Sequence, residues 1–221
     1  MRSLVHVLVG GYCAAALTVS YDNRSFMFDG EREFILSGSV HPARVHPGDW
    51  PRVISLAQEL GLNTIQVYFM WSDLQASVNG PFDFSGKNNY SEFISMVGDA
   101  GLYVVARLGP YVCGERSMGA VPLWMRTEAE CFRCSDPGWE SHMAAALTAY
   151  VGHIAHLIAP LGGPIIAMQV ENEYSGPDLA YLEWAVATAR NLTTAIPWIL
   201  CHDLVMCRLV RVRVASCDTT Q

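Results

Sequence analysis

Two carboxylates that flank an amide are the residues of this chain best suited to chemistry: Glu171, Asn172 and Glu173. They follow an apolar run, residues 165–168, which a Gly-Gly-Pro turn precedes. Such a run is typical of a strand buried on both faces of a parallel sheet, and acids at its carboxyl end are costly to bury without a reason. One reason is structural, with the acids held by nearby Arg or Lys. The other is catalytic, because paired carboxylates carry out acid/base and nucleophilic steps.

Strand and helix patterns alternate along the chain at intervals of roughly 30–40 residues. Five strands are predicted to start near Phe34, Thr64, Leu102, Ile165 and Pro197. Helices are predicted from Pro51 to a Gly61 stop and over residues 90–100, 141–158 and 178–195. Ahead of them, an Asp29-Gly30 turn is predicted to join residues 21–28 and 34–36 in a hairpin. The alternation indicates βαβ units and a parallel sheet, and therefore an α/β fold.

The carboxyl ends of parallel strands meet at one end of the sheet, where reacting groups gather. The polar and aromatic residues at the predicted ends are His41, Arg44, Tyr68, Trp71, Glu115, Asn172, Glu173, His202 and Asp203. Carboxylates, amides and aromatic rings suit a sugar, whose hydroxyls take hydrogen bonds and whose ring stacks on aromatic faces.

Glu171 and Glu173 are two residues apart, so they are predicted to share one face of their strand. A retaining glycosidase needs an acid/base and a nucleophile that approach the glycosidic bond from different sides. Because both acids would reach the sugar from the same strand, Glu173 is preferred for the chemistry and Glu171 is assigned a supporting role.

Several motifs, in order, give the chain a resemblance to a known family. They are Ser37-Gly38-Ser39-Val40-His41, Gly109-Pro110-Tyr111-Val112-Cys113, Glu115, the stretch 162–166 with Gln169-Val170-Glu171-Asn172-Glu173-Tyr174, and Pro197-Trp198. On these motifs residues 18–201 resemble glycoside hydrolase family 35, the β-galactosidases. The resemblance implies a (β/α)8 TIM barrel that removes terminal β-linked galactose from glycoconjugates or oligosaccharides. It also implies retention of configuration and the absence of any cofactor or metal.

The same resemblance implies roles for individual residues. Glu173 matches the family's acid/base residue, and Asn172 matches the residue that holds the sugar beside it. The positions that line the galactose pocket are matched by Tyr68, Cys113, Gly114 and Glu115. The implied partner is therefore a β-galactoside.

The chain departs from the family pattern at the second strand and at its end. Residues 71–76 read Trp-Ser-Asp-Leu-Gln-Ala where the family has Trp-Asn-x-His-Glu-Pro, and Pro42, Arg116 and Ala120 replace Tyr, Trp and Gly. The family's nucleophile, a Glu on the seventh strand, has no match, so the barrel is expected to be truncated after about five strands. The expected organisation is a signal peptide over 1–20, a partial catalytic domain over 21–206 and a divergent tail over 207–221. The alternative is a catalytically inactive galactoside-binding relative or a fragment without function.

Charge and the amino-terminal segment bear on partners and compartment. The chain has 14 Lys and Arg against 21 Asp and Glu, which argues against a nucleic acid or an anionic membrane surface as partner. A charged start and an apolar run over residues 4–17 predict a secretory signal, cleaved between Ala16 and Ser20, rather than a membrane anchor. Sequons at Asn23, Asn89 and Asn191 agree with a glycoprotein that is secreted or delivered to a lysosome or vacuole.

Cysteine and histidine pairs at short spacing are candidates for metal or redox sites. Seven cysteines are present, and cleavage of the signal would remove Cys13. Cys131 and Cys134 are interpreted as structural cysteines of a loop, because no second ligand pair has the spacing that a zinc site needs. His153 and His156 are interpreted as packing or solvated residues of a helix, because no Glu accompanies them as a further ligand.

Overall fold

The structure, a computed structural model, describes residues 16–202 and 206–209, which form two β-sheets flanked by helices. The strands are β1 Val19–Tyr21, β2 Phe26–Phe28, β3 Glu31–Glu33, β4 Ser37–Val40, β5 Thr64–Tyr68, β6 Tyr103–Gly109, β7 Ile165–Tyr174, β8 Trp198–His202 and β9 Met206–Leu209. The α-helices are α1 Trp50–Glu59, α2 Trp71–Leu74, α3 Tyr90–Asp99, α4 Met125–Glu128, α5 Pro137–Ile154 and α6 Leu179–Leu192. Most of the predicted signal peptide, residues 1–15, and residues 210–221 of the predicted tail lie outside the described residues.

The predicted Asp29-Gly30 turn is confirmed, but both strands beside it were predicted wrongly. Residues 21–28 were predicted as one strand, whereas β1 ends at Tyr21 and pairs with β2, which begins at Phe26. Phe28 pairs with Glu31, so the turn has two residues, and both have the positive φ angles (49° and 88°) that such turns favour. The short turn makes β3 begin at Glu31, whereas residues 34–36 were predicted. Phe34 is left 77% exposed. β1, β2 and β3 form a small antiparallel sheet.

The larger sheet contains the five predicted parallel strands, in the order β4-β5-β6-β7-β8. At least one α-helix separates each consecutive pair along the chain, which confirms the βαβ pattern of a (β/α)8 barrel over five strands. The first of these strands begins at Ser37 rather than near Phe34. β9 was not predicted: it pairs antiparallel with β8 from Ile199↔Leu209 to His202↔Met206, so the residues at the start of the predicted tail belong to the sheet.

Capping residues set the helix boundaries. Pro51 lies in the first turn of α1, as predicted. α5 begins at Pro137, four residues before the predicted start, because the Asp136 side chain accepts the Trp139 backbone N–H at 2.8 Å. Asp178 caps α6 in the same way at the Tyr181 N–H. Within the described part of the chain, the helices are too short or too polar to cross a membrane.

The main hydrophobic core lies between the parallel sheet and its helices. Its largest fully buried side chains are Trp50, Trp71, Trp139, Tyr90, Tyr150, Tyr181, Phe69 and Phe93. Burial of a side chain of this kind contributes about 1.5–3 kcal/mol, so this layer is a large source of the free energy of folding. A second, smaller cluster joins Val19 and Phe28 of the antiparallel sheet to Val105, Ile166 and Ala167 of β6 and β7. The antiparallel sheet therefore packs against the parallel one.

His153 and His156 pack against the start of α3, which agrees with their interpretation as packing residues. His153 Nε2 accepts the Ser91 backbone N–H at 3.1 Å, and the His153 ring stacks on Phe84 with centroids 4.0 Å apart. His156 Nε2 lies 3.2 Å from Ser91 Oγ. Burial, and then the neighbouring His156, hold the pKa of His153 below its ordinary value of 6.5.

Lowering the pH is expected to destabilise the protein through His153. Its pKa is lower in the native than in the unfolded chain, so its contribution is complete above pH 6.5 and is lost as the pH falls through the native pKa. His153→Phe keeps a ring against Phe84 but removes the acceptor, which leaves the Ser91 N–H unpaired at a cost of about 1–3 kcal/mol at pH 7.5. Urea unfolding of both proteins should show this difference shrinking between pH 7.5 and pH 5. A difference that stays constant would contradict the prediction.

Candidate active site

Four neighbouring strand ends bring most of the predicted site residues to one face of the sheet. His41 follows β4, Tyr68 ends β5, the loop with Cys113, Gly114 and Glu115 follows β6, and Asn172 and Glu173 lie at the end of β7. Of the predicted pair after β8, Asp203 lies outside the described residues, and the structure describes only the backbone of His202.

The end of β7 bulges, and this overturns one prediction. Between Val170 and Tyr174 the strand contains two residues more than the paired segment of β8. Glu171 and Glu173 both lie in the left-handed region, with φ of 60° and 47°. Because this backbone breaks the alternation of an extended strand, the two acids do not share a face: Glu171 is fully buried, whereas Glu173 is exposed.

Glu171 is fully occupied by internal partners. Arg133 donates to both of its oxygens, with the shortest contact 2.6 Å from Nη2 to Oε2. The Tyr181 hydroxyl donates to Oε1 at 2.5 Å, and the Asn172 N–H to Oε2 at 2.9 Å. The structural interpretation of a paired acid therefore describes Glu171, and its supporting role fits these contacts.

Burial and the contacts with Glu171 shift the pKa values of Arg133 and Tyr181. Burial opposes the charge of Arg133, but the hydrogen bonds and the charge of Glu171 outweigh it, so the pKa of the guanidinium is raised. Burial, and then the charge of Glu171, also raise the pKa of Tyr181 well above its ordinary value. The Tyr181 hydroxyl therefore keeps its proton and remains a donor to Glu171.

Arg107, on β6, links two of the predicted sugar-binding residues. It donates through Nη2 to Asn172 Oδ1 and through Nη1 to the Tyr68 hydroxyl. Its guanidinium also lies 4.1 Å from the centre of the Tyr68 ring. Asn172 is only 2% exposed, so its side-chain orientation is fixed from inside the barrel. This role was not predicted from the sequence, although a charged residue within a buried apolar strand is itself a signal that a partner is required.

His41 connects Arg44 to this group, by a hydrogen-bond contact on one side and ring packing on Tyr68 on the other. Arg44 Nη1 lies 3.0 Å from His41 Nδ1. An arginine can only donate, so Nδ1 is the acceptor and the proton of the neutral ring is on Nε2. Burial, and then the charge of Arg44, lower the pKa of His41, which keeps the ring neutral. The ring packs on Tyr68, with centroids 4.4 Å apart.

The loop after β6 has an unusual backbone. Cys113, Gly114 and Glu115 are consecutive residues with positive φ, 58°, 54° and 50°. A Cβ on Gly114 would lie 3.0 Å from Cε of Met70, so the loop packs closely on the chain after β5. Cys113 is an exposed free thiol. The Glu115 side chain is 82% exposed, 3.8 Å from Arg44, and available as a hydrogen-bond acceptor.

Arg116, which departs from the expected family pattern, contacts the departing segment 71–76. Arg116 forms an ion pair with Asp73, and Lys87 Nζ lies 3.8 Å from the same carboxylate. Close by in sequence, buried Gln75 accepts the Trp71 indole N–H at 2.9 Å and donates to the Gly80 carbonyl at 3.0 Å. On the second-strand side of the site, the residues that depart from the family pattern therefore form hydrogen bonds and ion pairs with one another and with nearby residues.

This arrangement suits a polyhydroxylated ring. Tyr68 and His41 place two packed aromatic rings at this end of the sheet, Asn172 supplies an amide held in place, and Glu115 and Glu173 supply exposed carboxylates that accept from hydroxyls or transfer protons. Within residues 16–202, no group of three His, Cys, Asp or Glu side chains could hold a metal ion. Cys131 and Cys134 form a disulfide, so these two are loop cysteines, as interpreted.

Solved structures with similar folds are glycoside hydrolases of low sequence identity. A GH5_18 protein from Streptomyces cattleya matches with a TM-score of 0.58 at 16% identity, covering 75% of this chain and 44% of that one. A GH5_18 protein from Bifidobacterium longum subsp. infantis matches with a TM-score of 0.57 at 12% identity, covering 76% of this chain and 43% of that one. At such identities the match supports the barrel fold alone.

Sequence comparisons identify the family. Beta-galactosidase 6 of Oryza sativa subsp. japonica is 37% identical over 90% of this chain, and Beta-galactosidase 14 of Arabidopsis thaliana 37% over 84%. Probable beta-galactosidase 2 of Dictyostelium discoideum is 33% identical over 85%. The chain spans 24%, 22% and 26% of the lengths of these relatives. The profile of Glycosyl hydrolases family 35 matches residues 25–209. The chain therefore belongs to glycosyl hydrolases family 35.

Proposed function

We propose that this chain forms the acid/base side and the galactose pocket of a retaining β-galactosidase site. The observation that carries the proposal is the Arg107 bridge, which joins Tyr68 of β5 to Asn172 of β7. Two sugar-binding candidates that lie far apart in sequence are thereby held at strand ends on either side of β6, next to an exposed glutamate. The family relationship and the relatives named beta-galactosidase support the same substrate class.

In the proposed mechanism Glu173 donates a proton to the glycosidic oxygen as the bond breaks. It then takes a proton from the water that releases galactose. Its exposure at the bulge leaves it accessible to substrate and water. Asn172 holds a sugar hydroxyl beside it, and the pocket is completed by Tyr68, Cys113, Gly114 and Glu115.

The second carboxylate of the retaining mechanism must lie about 5–5.5 Å from the acid/base, on the other side of the sugar. We propose that this nucleophile comes from outside the present chain. Glu171 and Glu115, the other carboxylates described above at this face, already contact Arg133 and Arg44.

The ion pair that occupies buried Glu171 also favours the alternative, a galactoside-binding relative without hydrolysis. The two functions differ in turnover but not in binding. Hydrolysis of a chromogenic β-galactoside, once a segment bearing the nucleophile is joined to the chain, supports the enzyme, and galactose binding without turnover by the joined protein supports the alternative. Loss of both, together with non-cooperative thermal unfolding, supports a fragment without function.

Arg107→Met provides the sharper test of the site. We expect its affinity for galactose, measured by titration calorimetry, to fall at least about tenfold, because the side chains of Tyr68 and Asn172 lose their common anchor. The affinity of Arg107→Lys for galactose should fall nearly as far, since one ammonium cannot replace the two donor nitrogens of the guanidinium. The exposed Arg126 of α4 supplies the matched control, and Arg126→Met should bind as the unaltered chain does. Equal binding by the Arg107 variants would overturn the proposed pocket.

Secretion and glycosylation are proposed as well. The apolar amino terminus, the sequons and the Cys131–Cys134 disulfide support a route through an oxidising secretory compartment to the extracellular space or a lysosome or vacuole. If the proposal is right, the chain is secreted and its electrophoretic mobility changes after treatment with an N-glycosidase. Retention of an unmodified chain in the cytosol would contradict the proposal.

A further inference from the structure

A small disulfide ring lies beside the end of β7. Cys131 and Cys134 close a ring around Phe132 and Arg133, between α4 and α5. Within the ring, Arg133 has a φ of 58°, a conformation that is uncommon for residues with a side chain. A covalent ring that fixes such a backbone also fixes the direction in which the Arg133 side chain leaves it.

Arg133 reaches from this ring to two parts of the site. Its guanidinium donates to both oxygens of Glu171 and, at 2.5 Å, to the backbone carbonyl of Asn172. It also lies 3.9 Å from the centre of the Tyr111 ring and 5.3 Å from that of Tyr174. The side chain is therefore enclosed by β7 and by the segment that follows β6.

The Asn172 carbonyl is the important contact, because it belongs to the peptide group that leads into Glu173. Glu171 and Glu173, on either side, both have left-handed backbones, so the ladder of β7 does not fix this peptide group. The hydrogen bond from Arg133 to the Asn172 carbonyl fixes this peptide group. A displacement of about 1 Å at a catalytic group costs on the order of 100-fold in rate, so the orientation of this peptide group matters for the proposed acid/base.

The ring is anchored on its far side as well. Ser135 donates to the Asp178 carboxylate through its backbone N–H at 2.7 Å and through Oγ at 3.1 Å. Asp178 in turn caps α6, which carries Tyr181, the second donor to Glu171. Phe132 packs on Trp139 with ring centroids 5.6 Å apart. The Cys131–Cys134 ring thus lies between the starts of α5 and α6.

We propose that Arg133 is a positioning residue for Asn172 and Glu173, and that the Cys131–Cys134 disulfide holds it in place, so that reduction loosens the site. Cys131 is exposed, which gives a dithiol access to the bond. Two thiols of the reagent supply two electrons and two protons; the S–S bond breaks, two cysteine thiols form, and the reagent leaves as a cyclic disulfide. The consequence for catalysis rests on the proposed function of Glu173.

Hydrogen exchange of the backbone amides tests the inference without depending on turnover. With dithiothreitol added, exchange in the peptide that covers residues 170–174 is expected to rise at least tenfold, and galactose affinity to fall by a similar factor. Reoxidation should restore both. The double variant Cys131→Ser, Cys134→Ser should resemble the reduced protein and should not respond to dithiothreitol, which assigns the effect to this disulfide.

Arg133→Lys separates positioning from charge. It retains the positive charge but loses the forked donor, so exchange over 170–174 should rise as in the reduced protein. Unchanged exchange after reduction verified by thiol labelling, or unchanged exchange in both Arg133→Lys and Arg133→Met, would overturn the inference. If the oxidised protein does not bind galactose, the proposed function fails, while the exchange measurements still decide the role of Arg133.

Discussion

In a protein that joins this chain to a segment bearing the nucleophile, Glu173→Gln is expected to lower the hydrolysis of β-galactosides with poor leaving groups by about 10²–10⁴-fold, the usual contribution of a general acid. Galactosides with activated aryl leaving groups should lose far less in the bond-breaking step, because such groups depart without a proton. The amide has nearly the same size as the carboxylate, and position 173 is exposed, so folding should not change. The measurement is kcat/KM across galactosides of graded leaving-group pKa.

Glu183 provides the matched control, because it is an exposed glutamate of α6. Glu183→Gln should keep the activity of the unaltered chain with every leaving group. Equal losses for Glu173→Gln on poor and activated leaving groups would exclude Glu173 as the acid and leave it, at most, a binding role.

Removing Arg133 should be the most destabilising single change at this site. Glu171 is fully buried, so Arg133→Met leaves a buried charge without its counter-ion, which typically costs about 3–5 kcal/mol of the free energy of unfolding. Adding Glu171→Gln removes that charge. The double variant should therefore be more stable than Arg133→Met alone, as measured by urea unfolding at pH 7.

Arg52 serves as control for this cycle, because it is an exposed arginine of α1. Arg52→Met should change the free energy of unfolding by less than about 0.5 kcal/mol. If the losses from Arg133→Met and Glu171→Gln simply add, the two side chains are not coupled, and the ion pair does not support the end of β7.

Local patterns were enough to predict much of the fold. β5 starts at Thr64 and β7 at Ile165, as predicted, because apolar runs bounded by turn residues mark buried strands. Boundaries failed where a cap or a tight turn decided them. Asp136 with Pro137 moved the start of α5, and the two-residue turn at Asp29 moved β3.

The connections within the site could not be predicted in this way. Arg107 contacts Tyr68 and Asn172, which are 39 and 65 positions away, and Arg133 contacts Glu171, 38 positions away. A periodicity reveals which face of a strand is buried, but it does not reveal which distant partner neutralises a charge on that face. The bulge that separates Glu171 from Glu173 was missed for a related reason, since it depends on the register against β8.

The sequence by itself determined the succession of strands and helices, the family, and the presence of Asn172 and Glu173 at a strand end. These follow from residue types and short spacings, which act locally. Only the tertiary structure decided that Glu171 is a buried, paired acid while Glu173 is exposed. It also decided that Arg107 contacts the Asn172 side chain and that Arg133 contacts Glu171 and the Asn172 carbonyl. The physical reason is that burying a charge requires a partner, and the folded chain brings that partner from a distant segment.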